Sequence, residues 1–150
     1  MPYDSKQDTI DHIKQVRSFM NEIMANLEAR SRLHDYSKLE EPEKSMYDEY
    51  KPKIRETELE FGYGSPQYEE VVKQMGAALR HHFDANSHHP EHYPNGINGM
   101  SLLDLIEALA DWKAASAQYG TPLNLEANRK RFGMSDQLFE IFQNTVRELE

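Results

Sequence analysis

This sequence predicts an all-α fold, and three observations predict it. Apolar residues recur at three- and four-residue steps over long stretches, residues with capping chemistry precede several of those stretches, and no run alternates apolar with polar as a half-buried strand would. No internal repeat and no low-complexity tract breaks the pattern. A chain of 150 residues fits one domain, residues 1–150, long enough to bury a core without disulfide or metal staples.

The elements follow in order. From Ser5 to about Arg30 the residues Ile13, Val16, Met20, Ile23 and Leu27 form one stripe, which predicts a long amphipathic first helix with His12 on the same face. A short second helix is expected over Leu33 to Leu39, ending near Pro42. A third, highly charged helix is expected from Glu43 to Glu60, interrupted around Pro52. FGYGSP at 61 to 66 reads as a turn whose Ser65 caps the next helix, with Pro66 at its first position. Val71, Met75, Ala78 and His82 then follow at helical steps, so His82 points inward. Between Phe83 and Met100 the Asn, Pro and Gly residues preclude a long helix and leave a structured, histidine-rich loop. Ser101 caps a central helix, SLLDLIEALADWKAAS. After Gly120-Thr121-Pro122 a short segment leads to Ser135 and a last helix carrying Leu138, Ile141, Phe142, Val146 and Leu149.

Composition excludes several functions. Lys and Arg number 17 against 26 Asp and Glu, and the net charge of −9 opposes extended nucleic-acid binding. No apolar run approaches the roughly 20 residues that span a bilayer, the N-terminus does not resemble a signal peptide, and a cytoplasmic location is expected. A small anionic substrate is compatible with the acidic chain if bound cations reverse the local sign, and an oligomer is equally compatible.

The chemistry is concentrated in the histidines. Of the seven, five lie between positions 81 and 92, and there is no cysteine. His12, the pair His34-Asp35, the cluster, and Asp111 occur in that order. Imidazoles and carboxylates hold hard and borderline divalent ions, while the absence of thiols excludes cysteine-ligated zinc fingers and iron–sulfur clusters. Adjacent residues on a helix diverge by about 100°, so His34 and Asp35 can approach one ion from neighbouring directions. A single inward histidine is commonly a core residue bonded to a carbonyl. Several inward histidines each need a partner, and a shared cation satisfies all of them. If Ser87 caps one helical turn, His88 and His92 share a face and His89 points elsewhere, and which of the three binds is left open. Asp111 shares a helical face with Asp104, Glu107, Ala108 and Ala115, away from Leu102, Ile106 and Leu109. That face is either solvated, or it closes onto a metal with Asp104 or Glu107 supporting histidine N–H groups.

His12, LHDYSK at 33 to 38, the clustered histidines and ADWKAAS at 110 to 116 together resemble the HD-domain superfamily of metal-dependent phosphohydrolases. Lys38 and the HHPEHYPNGI segment are most similar to the HD-GYP-like branch. This chain departs from that branch in lacking its glycines before Tyr93-Pro94 and in carrying extra histidines. His81-His82 can also be aligned with the family's paired histidines. The glutamate of the nucleotidase branch is replaced by Lys38. The resemblance implies an HD-domain-like helical bundle with the histidine-rich loop before the central helix. It implies that His12, His34, Asp35 and Asp111 hold one divalent metal, and that Asp35 bridges to a second held by His82 and one or two of His88, His89 and His92. The ion, one or two of Mn, Fe, Ni, Zn, Co or Mg, is left unspecified. The activity implied is hydrolysis of a small phosphorylated molecule, foremost a nucleotide, by a metal-activated hydroxide, with Asp35 orienting and Lys38, or less directly Arg80 or Lys113, neutralising phosphoryl charge. Tyr93 and Trp112 are candidates to stack on a base, with core packing the stronger reading for Trp112. The alternatives are a di-iron oxygenase of the same ligand order, or a non-catalytic protein whose metal is structural and whose acidic 43 to 60 helix is a partner surface.

Overall fold

The computed structural model describes residues 3–150, which form two compact units, one ending at His34 and one comprising Asp35–Glu150. Among the described residues there are seven α-helices and no strand, so the all-α expectation holds. None of these helices is long and apolar enough to cross a membrane.

The first unit is one helix, α1 (Lys6–Leu33), with Asp8 in its first turn and Arg30 and Arg32 in its last, the polarity that complements the helix dipole. It runs past Arg30 to Leu33, so no separate helix starts there. His34 takes an extended ψ of 123°, Asp35 is left-handed with φ 56°, and a 3-10 turn over Tyr36–Leu39 follows. The His34-Asp35 pair therefore lies between α1 and the 3-10 turn and not within a helix. Aspartate tolerates this conformation better than most residues, and the Asp35 carbonyl accepts the Lys38 N–H at 2.9 Å to close the turn.

The second unit begins at Asp35. Its first helix, α2 (Glu43–Phe61), continues through Pro52 where an interruption was expected. Pro52 and Asp48, the residue one turn before it, are both exposed, so the carbonyl that loses its amide partner is left to water. Ser65 accepts the Tyr68 N–H and Pro66 opens α3 (Pro66–Lys73). The single helix expected from Ser65 through His82 is instead two, because Gly76 takes φ 52° at the start of α4 (Gly76–Ala85). The inward stripe survives the break: Met75, Ala78 and His82 are all buried.

Ser101 and Asp104 form a capping box on α5 (Leu102–Tyr119), each side chain bonding the other's backbone N–H. The buried side of α5 carries Asp104, Ala108 and Leu109, while Leu102 and Ile106 face outward. The helix thus turns inward the acidic face on which the sequence had placed Asp111. Between Thr121 and Ser135 there is a further helix, α6 (Leu125–Phe132), capped by Asn124, where only a short segment was expected. Ser135 caps α7 (Asp136–Glu148). Ile97, Leu109, Met134 and Phe142 form the buried cluster that joins the loop, α5 and α7, with Trp112, Phe132 and Leu138 packed against it.

The last helix gives a direct check on this packing. Phe142 is buried and Ile141 is exposed. Phe142→Ala is expected to cost about 3–5 kcal/mol of unfolding free energy, and Ile141→Ala within about 0.5 kcal/mol of zero, both read from urea denaturation.

Candidate metal centre

A buried imidazole is useful as a ligand only if one ring nitrogen is held and the other is aimed. In the second unit two of the histidines meet this condition. His82, on α4 and 1% exposed, points Nδ1 at Glu43 Oε2 at 2.9 Å. His88, in the loop and also buried, points Nδ1 at Glu107 Oε1 at 3.1 Å. A carboxylate on Nδ1 makes that nitrogen the donor and turns Nε2 into the lone-pair face. Both Nε2 atoms then approach one oxygen: each lies 3.4 Å from Asp35 Oδ1. His89 closes the group, its Nε2 2.8 Å from His82 Nε2. Since His82 Nε2 accepts, His89 Nε2 donates, and the two rings share a proton.

Asp35, His82, His88 and His89 thus offer ligand atoms that all lie within 4.8 Å of one another. Ligands about 2.1 Å from one ion in tetrahedral array are about 3.4 Å apart, the separation of both imidazole–Asp35 pairs. The donor set, three imidazoles and one carboxylate, fits a borderline or hard divalent cation, which would take the place of the proton between His82 and His89. An oxygen of Asp111 lies within 4.8 Å of a nitrogen of His88, extending the cluster onto α5. Of the residues in the first unit, His12 is exposed along α1, and His34 is the C-terminal cap of that helix, the residue covalently before Asp35.

The loop geometry differs from expectation in a way that changes the ligands. No helical turn starts at Ser87. A turn closes from Asn86 to His89 (Asn86 O accepts His89 N–H at 3.3 Å), followed by a 3-10 turn over Pro90–His92. His88 and His89 consequently face the same point, and the pairing of His88 with His92 is not formed. His92 donates Nδ1 to the Phe83 carbonyl at 2.9 Å and lies outside the group. The turn is fixed from both sides. Asn86, itself buried, donates to the His82 carbonyl at 2.8 Å and to Ser37 Oγ at 2.9 Å. On the other side Asp104 accepts from Ser87 Oγ and from Tyr93 Oη, both at 2.7 Å. Gly99 keeps Tyr93 in place, since a Cβ there would stand 2.7 Å from Tyr93 Cβ. Of the two suggested supporting acids, Glu107 holds an imidazole directly and Asp104 holds the loop that carries it.

Glu43 is the residue that sequence reasoning missed. Its side chain is fully buried and accepts from His81 Nδ1 at 2.7 Å, from His82 Nδ1 at 2.9 Å and from Ser37 Oγ at 3.1 Å. Nothing in the sequence singles it out among 26 acidic residues. Lys38 sits beside the cluster, its Nζ 2.5 Å from Asp35 Oδ2 and 4.8 Å above the Tyr47 ring. Asp35, Lys38, His82, His89 and Asp111 line a cavity of about 570 Å³, whose remaining wall includes Tyr47, Tyr63, Tyr68, Trp112, Asn128 and Arg131. Arg80 and Lys113 are not among its lining residues. Trp112 stacks on Phe132 at an interplanar angle of 11°, and Tyr93 is committed to Asp104. Burial, reinforced by the carboxylates of Asp35, Glu43 and Asp111, raises the Tyr47 phenol far above its usual range, so it stays a donor.

Burial also keeps two of the imidazoles neutral. It lowers His82, with the Lys38 charge adding to the effect, and together with His88 and His82 it pushes His89 down to about 2. Neutral rings need no deprotonation before they bind a cation. An unfolded histidine takes up a proton near pH 6.5, which the folded rings refuse. The metal-free protein therefore keeps this contribution to stability above about pH 6.5 and loses it as the pH falls toward the folded values, by at most about 1.4 kcal/mol per pH unit for each ring. Urea denaturation of chelator-treated protein at neutral and mildly acid pH measures the loss, which His89→Asn should reduce. A second prediction concerns the supports. Glu43→Gln and Glu107→Gln should each weaken divalent-metal affinity by about 10–100-fold in a calorimetric titration, whereas His92→Gln should leave it unchanged.

Comparison with curated proteins and with solved structures finds no significant match. A family model described as a family of unknown function (DUF5662) matches residues 1–148. That span is nearly the whole chain, and the protein therefore belongs to the DUF5662 family.

Proposed function

We propose that this protein is a metal-dependent phosphohydrolase acting on a small phosphorylated molecule, a nucleotide foremost, with Asp35, His82, His88 and His89 holding the metal and Asp111 extending the ligand set. The observation that carries the reading is the convergence of those four ligand atoms within 4.8 Å of one another, three of the four residues also lining a cavity of about 570 Å³. Small-molecule sites commonly enclose about 300–1,000 Å³. One or two divalent ions held there would supply Lewis acidity to a phosphoryl oxygen and lower the pKa of water.

The chain's own residues supply the rest. Lys38, held against Asp35 and lining the cavity, brings a positive charge to the phosphoryl oxygens. Tyr47, kept protonated by burial, offers a hydrogen-bond donor on the same wall. The phenol rings of Tyr63 and Tyr68, 5.1 Å apart between centroids, give the cavity an aromatic surface on which a nucleobase can stack. Arg131 also lines it, oriented by the Tyr63 hydroxyl and by Glu91.

The test is metal analysis of the purified protein joined to hydrolysis assays on a generic phosphodiester, a phosphomonoester and a panel of nucleotides. Metal-dependent phosphate release is expected. Asp35→Asn and His88→Ala should abolish it together with metal retention, and Lys38→Ala should lower kcat by about 10²–10³-fold with metal content preserved. Stoichiometric redox-active iron with no hydrolysis by any metal form would replace this reading with the di-iron oxygenase. Unchanged metal content in the Asp35 and His88 variants would remove the site itself.

A further inference from the structure

Helix α6 gives the cavity of the second unit a polar face. Asn124, Asn128 and Arg131, spaced four and three residues apart, all line it. Two of these side chains are already committed. Asn124 Oδ1 accepts the Ala127 N–H at 2.9 Å as the helix cap, and Arg131 donates to Tyr63 Oη at 3.0 Å and to Glu91 Oε1 at 3.1 Å. Asn128 differs from both. It is 2% exposed, and among the described residues its Oδ1 has no hydrogen-bond partner. A buried amide oxygen without a donor is destabilising, and an apolar side chain in its place would carry no such penalty. The packing of α6 therefore does not account for an asparagine at this position.

We propose that Asn128 is the specificity-determining residue of the cavity, its side-chain amide reading the hydrogen-bonding edge of a nucleobase; this rests on the reading of the protein as a phosphohydrolase of nucleotides. Two features select a base. The first is position. Residues three apart on a helix are neighbours, so Asn128 adjoins Arg131, whose guanidinium is bonded to Tyr63. Tyr63 packs in turn on Tyr68, with ring centroids 5.1 Å apart, and both rings line the same cavity. A ligand that meets this aromatic surface and the amide together is planar and carries polar atoms on its rim. The second feature is chemistry. A primary amide offers an acceptor and a donor side by side, and each common nucleobase presents the complement, an N–H beside an oxygen or a ring nitrogen. The terminal torsion of asparagine is soft, so a half-turn exchanges its oxygen and nitrogen and lets the amide meet the pair in either order. Asn128 thus selects phosphate esters that carry a base over those that do not.

The experiment uses the full chain and two variants, Asn128→Leu and Asn128→Ala. Thermal melting comes first. Because the Asn128 oxygen has no partner among the described residues, at least one variant is expected to melt at or above the wild-type temperature. Calorimetric titration with adenosine, guanosine, cytidine and uridine follows, and it requires neither metal nor phosphoryl transfer. At least one nucleoside should bind the wild type, ribose should not, and both variants should weaken the binding about 10–100-fold. In hydrolysis assays the ratio of kcat/KM for the matching nucleotide to kcat/KM for phenyl phosphate should fall by the same factor, through KM. Melting of both variants below the wild type, or their failure to fold, would assign Asn128 to the packing of α6 and overturn the proposal. Absence of nucleoside binding, or ribose binding that depends on Asn128 in the same way, would also overturn it. Nucleotide hydrolysis by the wild type with no loss of preference in the variants would reject the role of Asn128 and leave the phosphohydrolase reading standing. Nucleoside binding that the variants lose, in a protein that hydrolyses nothing, would support the role of Asn128 and reject that reading.

Discussion

A carboxyl group with no exposure to water costs several kcal/mol unless donors surround it, and the second unit is organised around one such group. Glu43 takes its donors from two places: Ser37 on the turn that follows Asp35, and His81 and His82 on α4. Satisfying Glu43 therefore fixes the start of α2 against α4 and against the segment that carries Asp35 and Lys38. It also settles which His82 nitrogen is left for other work. Removing Glu43 would leave the His82 N–H unpaired in a buried site, so the residue constrains the structure and the ligand together.

The same logic is repeated on the other side of the cluster. Glu107 holds His88 as Glu43 holds His82, and Asp104 ties the loop to the first turns of α5 through Ser87, Tyr93 and its own capping box. Histidines from a helix and a loop converge because each is tied to an acid on a different helix. The result is an array of imidazoles facing Asp35, beside a lysine, with Asp35, His82 and His89 also lining an aromatic cavity. Three imidazoles and one carboxylate form a donor set that fits a divalent cation.

Much of the helical framework was legible because it rests on local rules. Ser65, Ser101 and Ser135 cap helices for reasons visible within four residues, and the stripe through Met75, Ala78 and His82 carries its burial in its spacing. Asp111 was ambiguous from spacing alone. The alanines on its face allowed close packing without requiring it, and that face turned out to be the inward one. What the sequence did not disclose depends on tertiary partners. Glu43 looks like any acid in a charged helix. The pairing of His88 with His89 follows from Asn86, whose bonds to Ser37 and His82 set the turn. Gly76 reads as a tolerable glycine inside a helix, yet its positive φ splits α3 from α4. Helix α6 was missed because LEANRKRF has few apolar residues to show a period.

One convergence point carries the proposed chemistry, so the most direct measurement is anomalous diffraction from crystals grown with a divalent transition metal, recorded at that metal's absorption edge. A peak bonded to Asp35 and to Nε2 of His82, His88 and His89, with the hydrogen bond between His82 and His89 replaced, is the predicted result. A map with no peak at this cluster, or with the metal seated elsewhere while His82 and His89 keep their mutual hydrogen bond, would contradict it.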